Sequence, residues 1–501
     1  MKTKARILSA LLLAAMLIPT MIACGSDSGN TTADTTSAAE TTTVAETEPT
    51  HDENGYLLDE LPEELDFDGR TVNILKWNHY ESVDLEVEEE TGDILNDALY
   101  NRNRTVEERL NVVLEFPEVT GRDSGGALLN ALQASIMSGL GAYDATGINS
   151  TRTANAAAAG QYLNLYNIDY LDFEKPWWSE KILNNSIIGD KVFFATGDIT
   201  TSSIARIMGL FVNMDMVAEF CPGEDILGLV LDQKWTLDKM MDMSKGVYSD
   251  LNANGAKDAA DRFAYASDSF QLAAPFTASG LKSIVQTDDG GLTVPPEAYG
   301  ERAVALVEKM CNYMHGGNDA FAIPKVDDRT IFNEGRVMFF SFVMRILDTA
   351  SVRDLEYEIS FIPWPKYDEL QEDYITASSS TLSTFAVPLD VKDTAVSGAV
   401  LEAMASEGYR QLTPALFEVC YKVKYNNDQS NRQAVIFDMM RENRQYDISR
   451  LFMYQVPFDA VGKFGSMVLS NNANWSSTYA SYLESNQNAL DSLVEKMAEY
   501  Q

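Results

Sequence analysis

Short apolar runs rich in β-branched residues alternate along this chain with longer stretches whose apolar positions recur at a helical period. TVNILKW (71–77) is β-rich and too short for a helix, so it predicts a strand. Ile94, Leu95, Ala98, Leu99, Val106 and Leu110 then share one face, which predicts an amphipathic helix. NVVLEF (111–116) reads as the next strand and ALLNALQASIMSGL (127–140) as the next helix. Near the end, Leu483, Ala489, Leu490, Leu493, Val494 and Met497 predict another helix. Strands alternating with helices argue for α/β lobes with largely parallel sheets. At 501 residues the chain is too long for one ordinary core. With no internal repeat and no long linker within the body, two lobes joined by crossings of the chain are expected.

The first 23 residues follow another pattern. MKTKAR is basic, ILSALLLAAMLIPTMIA is apolar, and MIAC ends at Cys24. That order is a secretory signal, and a small residue before the cysteine resembles the lipobox of bacterial lipoproteins, with Met21 where leucine is usual. The resemblance implies cleavage before Cys24 and lipidation of its sulfur. Residues 25–50 are nearly half Ser and Thr and hold almost no large apolar side chains. Such a segment cannot offset its ordering entropy, so 24–65 is read as an anchor cysteine followed by a disordered linker. No other stretch is long and apolar enough to span a bilayer. The expected location is therefore the extracellular face of a bacterial membrane, with the chain tethered and not crossing.

Charge narrows the partners. Asp and Glu number 75 against 38 Lys and Arg, a formal charge of −37. A surface of that sign repels nucleic acid, which is excluded as a partner. Cys221, Cys311 and Cys420 are an odd, widely spaced set, so at most one disulfide forms and no cystine framework holds the fold. The three histidines are too scattered for a zinc signature.

DLNANGAKDAAD (250–261) is the one metal-like motif. It offers side-chain oxygens at Asp250, Asn252, Asn254, Asp258 and Asp261, a backbone carbonyl at Ala256, and Gly255 at the sharp turn. Hard oxygen ligands at these spacings suit calcium. Two asparagines and a short final Asp point to a weak structural site, and a polar Asn-Gly turn is the plain alternative. Catalytic motifs are absent: no GxSxG, HExxH, Walker A or glycine-rich dinucleotide fingerprint occurs. Aromatic residues fall instead at loop positions. Trp77 and Tyr80 follow the first strand, Trp178 lies in a loop opened by Pro176, Trp364 precedes Pro365, and Trp475 sits in SNNANWSST. Rings there suit stacking on sugar faces; core packing is the competing reading for each.

From about residue 66 onward the chain resembles the bacterial extracellular solute-binding proteins of ABC transporters, family 1. The carrying segments are DILNDALYNRNRTVEERLNV (93–112), GQYLNLYNI, KPWW, GDKVFFATGD (189–198), MGLFVNMDMVAEF (208–220) with WTLDKMMDMSKGV (235–247), NEGRVMFF (333–340), FIPWPKYDELQEDY (361–374), TFAVPLD (384–390) and 412–449. The resemblance implies a two-lobed type 2 periplasmic-binding-protein fold with a hinged interlobe cleft. Lobe 1 would comprise 66–206 and 360–410, and lobe 2 would comprise 207–359 and 411–501, with crossings near Met208–Asn213 and Ile359–Pro365. It also implies cleft aromatics near Phe342 and Trp475, a monomer without enzymatic activity, a carbohydrate ligand and ABC permease partners. Departures from the family's sugar-site pattern, such as Val212-Asn213 and FSFVMRI, keep a non-sugar solute such as a peptide open. A calcium-stabilised surface enzyme or adhesin acting on polysaccharide is the reading from another class.

Overall fold

A computed structural model describes residues 50–78, 85–120, 125–425 and 430–500. Cys24, the expected signal and most of the linker, Tyr80, and the side chain of Trp77 lie outside the described residues.

The first sheet begins with β1 (Arg70–Asn78), followed by β2 (Val112–Glu115), β3 (Glu118–Thr120) and β4 (Ala145–Asn149). The chain then builds β5 (Met208–Asn213), β6 (Phe263–Ser267), β7 (Ala320–Ala322), β8 (Val337–Val343) and β9 (Ile359–Ile362) before β10 (Ser383–Ala386). The helices include α1 (Ile94–Leu110), α2 (Ser150–Ala158), α3 (Thr394–Glu407), α4 (Ala460–Leu469) and α5 (Leu483–Glu499).

β10, β4, β1 and β2 lie side by side, and β3 continues along β1 beyond Pro117. β1 runs parallel to β2, β3 and β4, whereas β10 is antiparallel. The second sheet has the order β7-β6-β8-β5-β9, with β5 alone antiparallel to its neighbours. Each sheet is thus mostly parallel with one reversed strand. Both faces of the first sheet are buried. Val72 and Ile74 join one apolar cluster, Leu75 and Ile148 another, as parallel strands covered on both sides require. The second sheet anchors a separate core around Phe211, Tyr265 and Phe339.

α1 shows how closely local chemistry sets an element. Asp93 caps it by accepting from the Leu95 and Asn96 N–H groups at 3.1 and 3.2 Å, and Asn111 ends it in the left-handed region at φ 48°. Its buried face includes Leu99, Val106 and Leu110, on the predicted period, together with Arg102. The Arg102 guanidinium is completely buried and donates to the Ile199 carbonyl at 2.8 Å.

The expected crossings are displaced slightly. Met208–Asn213 is wholly strand β5 and Ile359–Ile362 wholly β9, so the passes between sheets lie before the former and after the latter. Ile207 and Ser378 form an antiparallel bridge, and the Ser379 N–H donates to the Arg206 carbonyl at 2.9 Å. Thr376–Ala377 also pairs in parallel with Arg444–Gln445. Three passes therefore run together as a narrow hinge. The lobe ranges shift accordingly: β9, placed partly in lobe 1, is hydrogen-bonded in the second sheet. The terminal helix α5, placed in lobe 2, packs Leu490, Leu493 and Met497 into the first-sheet core. Its amphipathic stripe was legible, but not which sheet it covers.

Candidate functional site

A groove opens where the carboxyl ends of strands from both sheets face each other. β4 runs into Asn149, Thr151 and Arg152; β6 leads to Ser269, Phe270 and Gln271; β7 leads to Lys325 and Val326; β8 ends at Phe342 and Val343. Hinge residues Ser379, Ser380 and Thr381 complete the lining. Ligands of open α/β sheets bind outside the carboxyl ends of the strands. The wide part is a cavity of about 670 Å³. A second stretch of about 520 Å³ shares Phe270, Val326 and Thr381 with it. A narrower arm of about 260 Å³ continues past Arg206 and Arg345 toward Asp93 and Asp348. The two wide stretches lie in the size range of small-ligand sites.

The groove is polar and organised. The Arg450 guanidinium is held by Asp459 and donates to the Ser380 hydroxyl at 3.0 Å. Ser379 and Thr381 hydroxyls lie 2.9 Å apart, and Asn149 Oδ1 accepts from the Thr151 hydroxyl at 2.7 Å. Gln271 is 2% exposed and its side-chain carbonyl, buried behind the groove wall, has no hydrogen-bond partner among the described residues. Three rings line the groove, each with a guanidinium over its face. Arg450 lies 5.7 Å from Phe270, Arg329 5.8 Å from Phe342 and Arg152 4.8 Å from Tyr454.

Of the aromatics expected to line a cleft, Phe342 does so. Three others do not, and the reason is packing. Trp364 is 1% exposed, set edge-on against Tyr265 at 5.8 Å within the second core. Trp475 is fully buried among Phe276, Phe458, Phe464 and Tyr479, its indole donating to the Ala298 carbonyl at 2.9 Å. Trp178 is buried in the first lobe, where Trp177 Nε1 and Trp178 Nε1 donate to the two oxygens of Glu402 at 2.8 and 2.9 Å. Burial pushes the Glu402 carboxyl up to about 7 despite these donors. Sequence reading missed Arg152, Phe270, Ser379–Thr381 and Arg450. The run SSST (378–381) was the one visible signal, a cluster of hydroxyls in a chain otherwise rich in carboxylates.

The 250–261 loop folds around its own oxygens. Asp250 accepts from the Gly255 N–H at 2.8 Å, with Gly255 at φ 74°, a left-handed turn that favours glycine. Asn254 Nδ2 lies 2.7 Å from Asp258 Oδ2 and Asn252 Nδ2 3.3 Å from it. Asp261, fully buried, accepts from the Leu251 and Asp258 N–H groups and from the Tyr248 hydroxyl. The residue types are those of a hard-cation site: the Asn252 and Asn254 amides both face Asp258, and a turn of either presents oxygen in place of nitrogen. Among the described residues no three His, Cys, Asp or Glu side chains gather closely enough to hold a metal by themselves, so such a site would need the amide oxygens. Cys221, Cys311 and Cys420 are all free thiols, and no described helix is long and apolar enough to cross a membrane.

Two mostly parallel sheets, joined by adjacent passes of the chain and framing a groove at their strand ends, define the two-lobed, hinged α/β fold of periplasmic binding proteins. Solved structures of ABC-transporter solute-binding proteins share it. The GacH receptor of Streptomyces glaucescens, solved with acarbose, matches with a TM-score of 0.53 at 12% identity, over 86% of this chain and 100% of that one. The cyclic α-maltosyl-1,6-maltose binding protein of Arthrobacter globiformis matches at 0.55 and 12%, over 85% and 99%. The galacto-N-biose/lacto-N-biose I-binding protein of Bifidobacterium longum, in complex with lacto-N-biose, matches at 0.53 and 11%, over 86% and 99%. No known family profile and no curated protein matches the sequence. At these identities the likeness establishes the fold.

Proposed function

We propose that this chain is the solute-capturing receptor of an ABC importer and that its ligand is a carbohydrate, an oligosaccharide in size. The observation that carries the reading is the polar groove at the strand ends of both sheets, beside a three-pass hinge. Hydroxyls, guanidiniums and rings line it, the mixture that sugar hydroxyls and sugar faces require. Contacts made to both walls at once favour a closed state, and a permease that recognises that state completes delivery. Likeness to receptors solved with acarbose and lacto-N-biose supports the sugar class. The role is binding, not catalysis, and the receptor acts as a monomer. The test is a thermal-shift screen of residues 51–501 in calcium against mono- and oligosaccharides, with peptides and amino acids as controls. Stabilisation by several degrees from one glycan class is expected; a response to peptides alone would replace sugar with peptide as cargo.

Cys24 would carry the lipid that holds the receptor at the outer face of the membrane. Cys24→Ala in the bacterial host is expected to release the protein into the medium, read by immunoblot of cell and medium fractions; retention of the variant on cells would contradict the anchor.

The 250–261 loop would hold calcium as a brace, bound by Asp250, Asn252, Asn254, Asp258 and Asp261 with the Ala256 carbonyl. A metal that binds only the native loop raises stability by mass action. Excess chelator is therefore expected to lower Tm, and added calcium to restore it. In Asp250→Ala the response to chelator should vanish. An unchanged melting curve in chelator would refute the metal.

A further inference from the structure

Charge in the groove runs against charge in the rest of the molecule. The chain carries nearly two acids for every base, yet the two wide stretches of the groove reverse that balance. Arg152, Arg450 and Lys463 lie at one end, and Lys325 and Arg329 on the wall after β7. Arg206 and Arg345 stand where the narrow arm begins. Among the described lining residues only Asp327 and Asp459 oppose them, Asp459 already paired with Arg450, while Asp328 lies behind Lys325. Arg152, Lys325, Arg329 and Lys463 form no ion pair among the described residues. Helix α2 also brings its amino-terminal end to this segment, through Thr151 and Arg152, adding partial charge of the same sign. In the narrow arm Asp93 and Asp348 balance Arg206 and Arg345, so the excess of positive charge belongs to the wide stretches and is not a property of the whole groove.

We propose, resting on the saccharide-receptor reading above, that the ligand is an acidic oligosaccharide whose oxyanion sits in the wide, basic part of the groove. Arginines there supply charge-assisted hydrogen bonds to a carboxylate, sulfate or phosphate. The guanidiniums over Phe270, Phe342 and Tyr454 fit the same ligand: one face of each ring is already taken, so stacking is shared with cation contacts. The molecule's overall negative charge does not prevent this. At physiological salt the Debye length is about 8 Å, so the groove cations decide the local field at close range.

The test is titration calorimetry with length-matched probes: neutral malto-oligosaccharides, unmodified oligogalacturonides, and oligogalacturonides methylated at the carboxyl. Sulfated and phosphorylated oligosaccharides serve as arms that identify the oxyanion. The expected result is binding of one acidic series about tenfold or more tighter than its neutral counterpart, an energy difference of about 1.4 kcal/mol. That binding should weaken as salt rises. Arg152→Gln and Arg329→Gln, each checked for an unchanged melting temperature, should narrow the preference. Equal or tighter binding of neutral sugars would overturn the acidic preference and leave the saccharide receptor standing. Silence from every saccharide, with the protein folded, would overturn both. Acidic peptides are a final arm, and a response to them alone would overturn the saccharide reading and with it the acidic-oligosaccharide proposal.

Discussion

Replacing Glu402 with alanine is expected to destabilise the body by about 3–5 kcal/mol. The carboxylate is 2% exposed and receives three N–H groups: the indoles of Trp177 and Trp178 and the backbone of Asp172. Removing it leaves the two indole donors buried and unpaired, at about 1–3 kcal/mol each before relaxation, while the half-buried Asp172 N–H can turn to water. The loop carrying the indoles cannot easily shift to compensate. The Asp198 N–H donates to the Trp177 carbonyl at 2.8 Å, and a Cβ on Gly197 would fall 1.9 Å from that same oxygen. Glu402→Gln keeps one acceptor and should cost less than alanine. It also removes a titration. Burial raises the folded carboxyl from 4.5 to about 7, so its contribution is fully present below about pH 4.5 and is lost as pH rises through 7. Urea melts of the wild type should carry this loss of stability between those values, superimposed on other groups. The difference between wild type and Glu402→Gln should change across the same window. A flat difference would show that the indole donors hold the carboxylate ionised throughout.

Thr381→Trp is the second large effect. Thr381 lines both wide stretches of the groove, half-buried on the hinge between their walls. An indole there fills space the ligand needs without entering either core. Saccharide binding is expected to fall by a factor of 100 or more, about 2.7 kcal/mol, with Tm changed by a few degrees at most. Calorimetry with the best glycan from the thermal-shift screen reads the first number and calorimetric melting the second. Retained affinity would place the ligand elsewhere.

The elements were more legible than the site, and particular residues show why. The period of Ile94, Leu95, Leu99, Val106 and Leu110, closed by Asp93 and Asn111, contains everything needed to write helix α1. Strand β1 is equally local. The tryptophans were misplaced because proximity to Pro, Asn and Ser marks a loop without saying which way the loop folds. Trp475 stands in a polar run, yet opens a short helix that turns its ring into a cluster supplied by Phe276, more than 190 positions away. The groove has the same character. Arg152, Phe270, Arg329, Thr381 and Arg450 come from five separated segments, each unremarkable alone, and only strand order brings them together. Net charge has the same limit: a total of −37 over the chain does not say how the basic residues are distributed, and several of them line the groove.

The most direct measurement is a crystal structure of residues 51–501 with the tightest-binding saccharide of the screen. Capture between the lobes predicts ligand density in the groove, touching Arg152 or Thr151 on the first wall and Phe270 or Phe342 on the second. Well-ordered saccharide seated elsewhere, with the groove holding only solvent, would contradict the account.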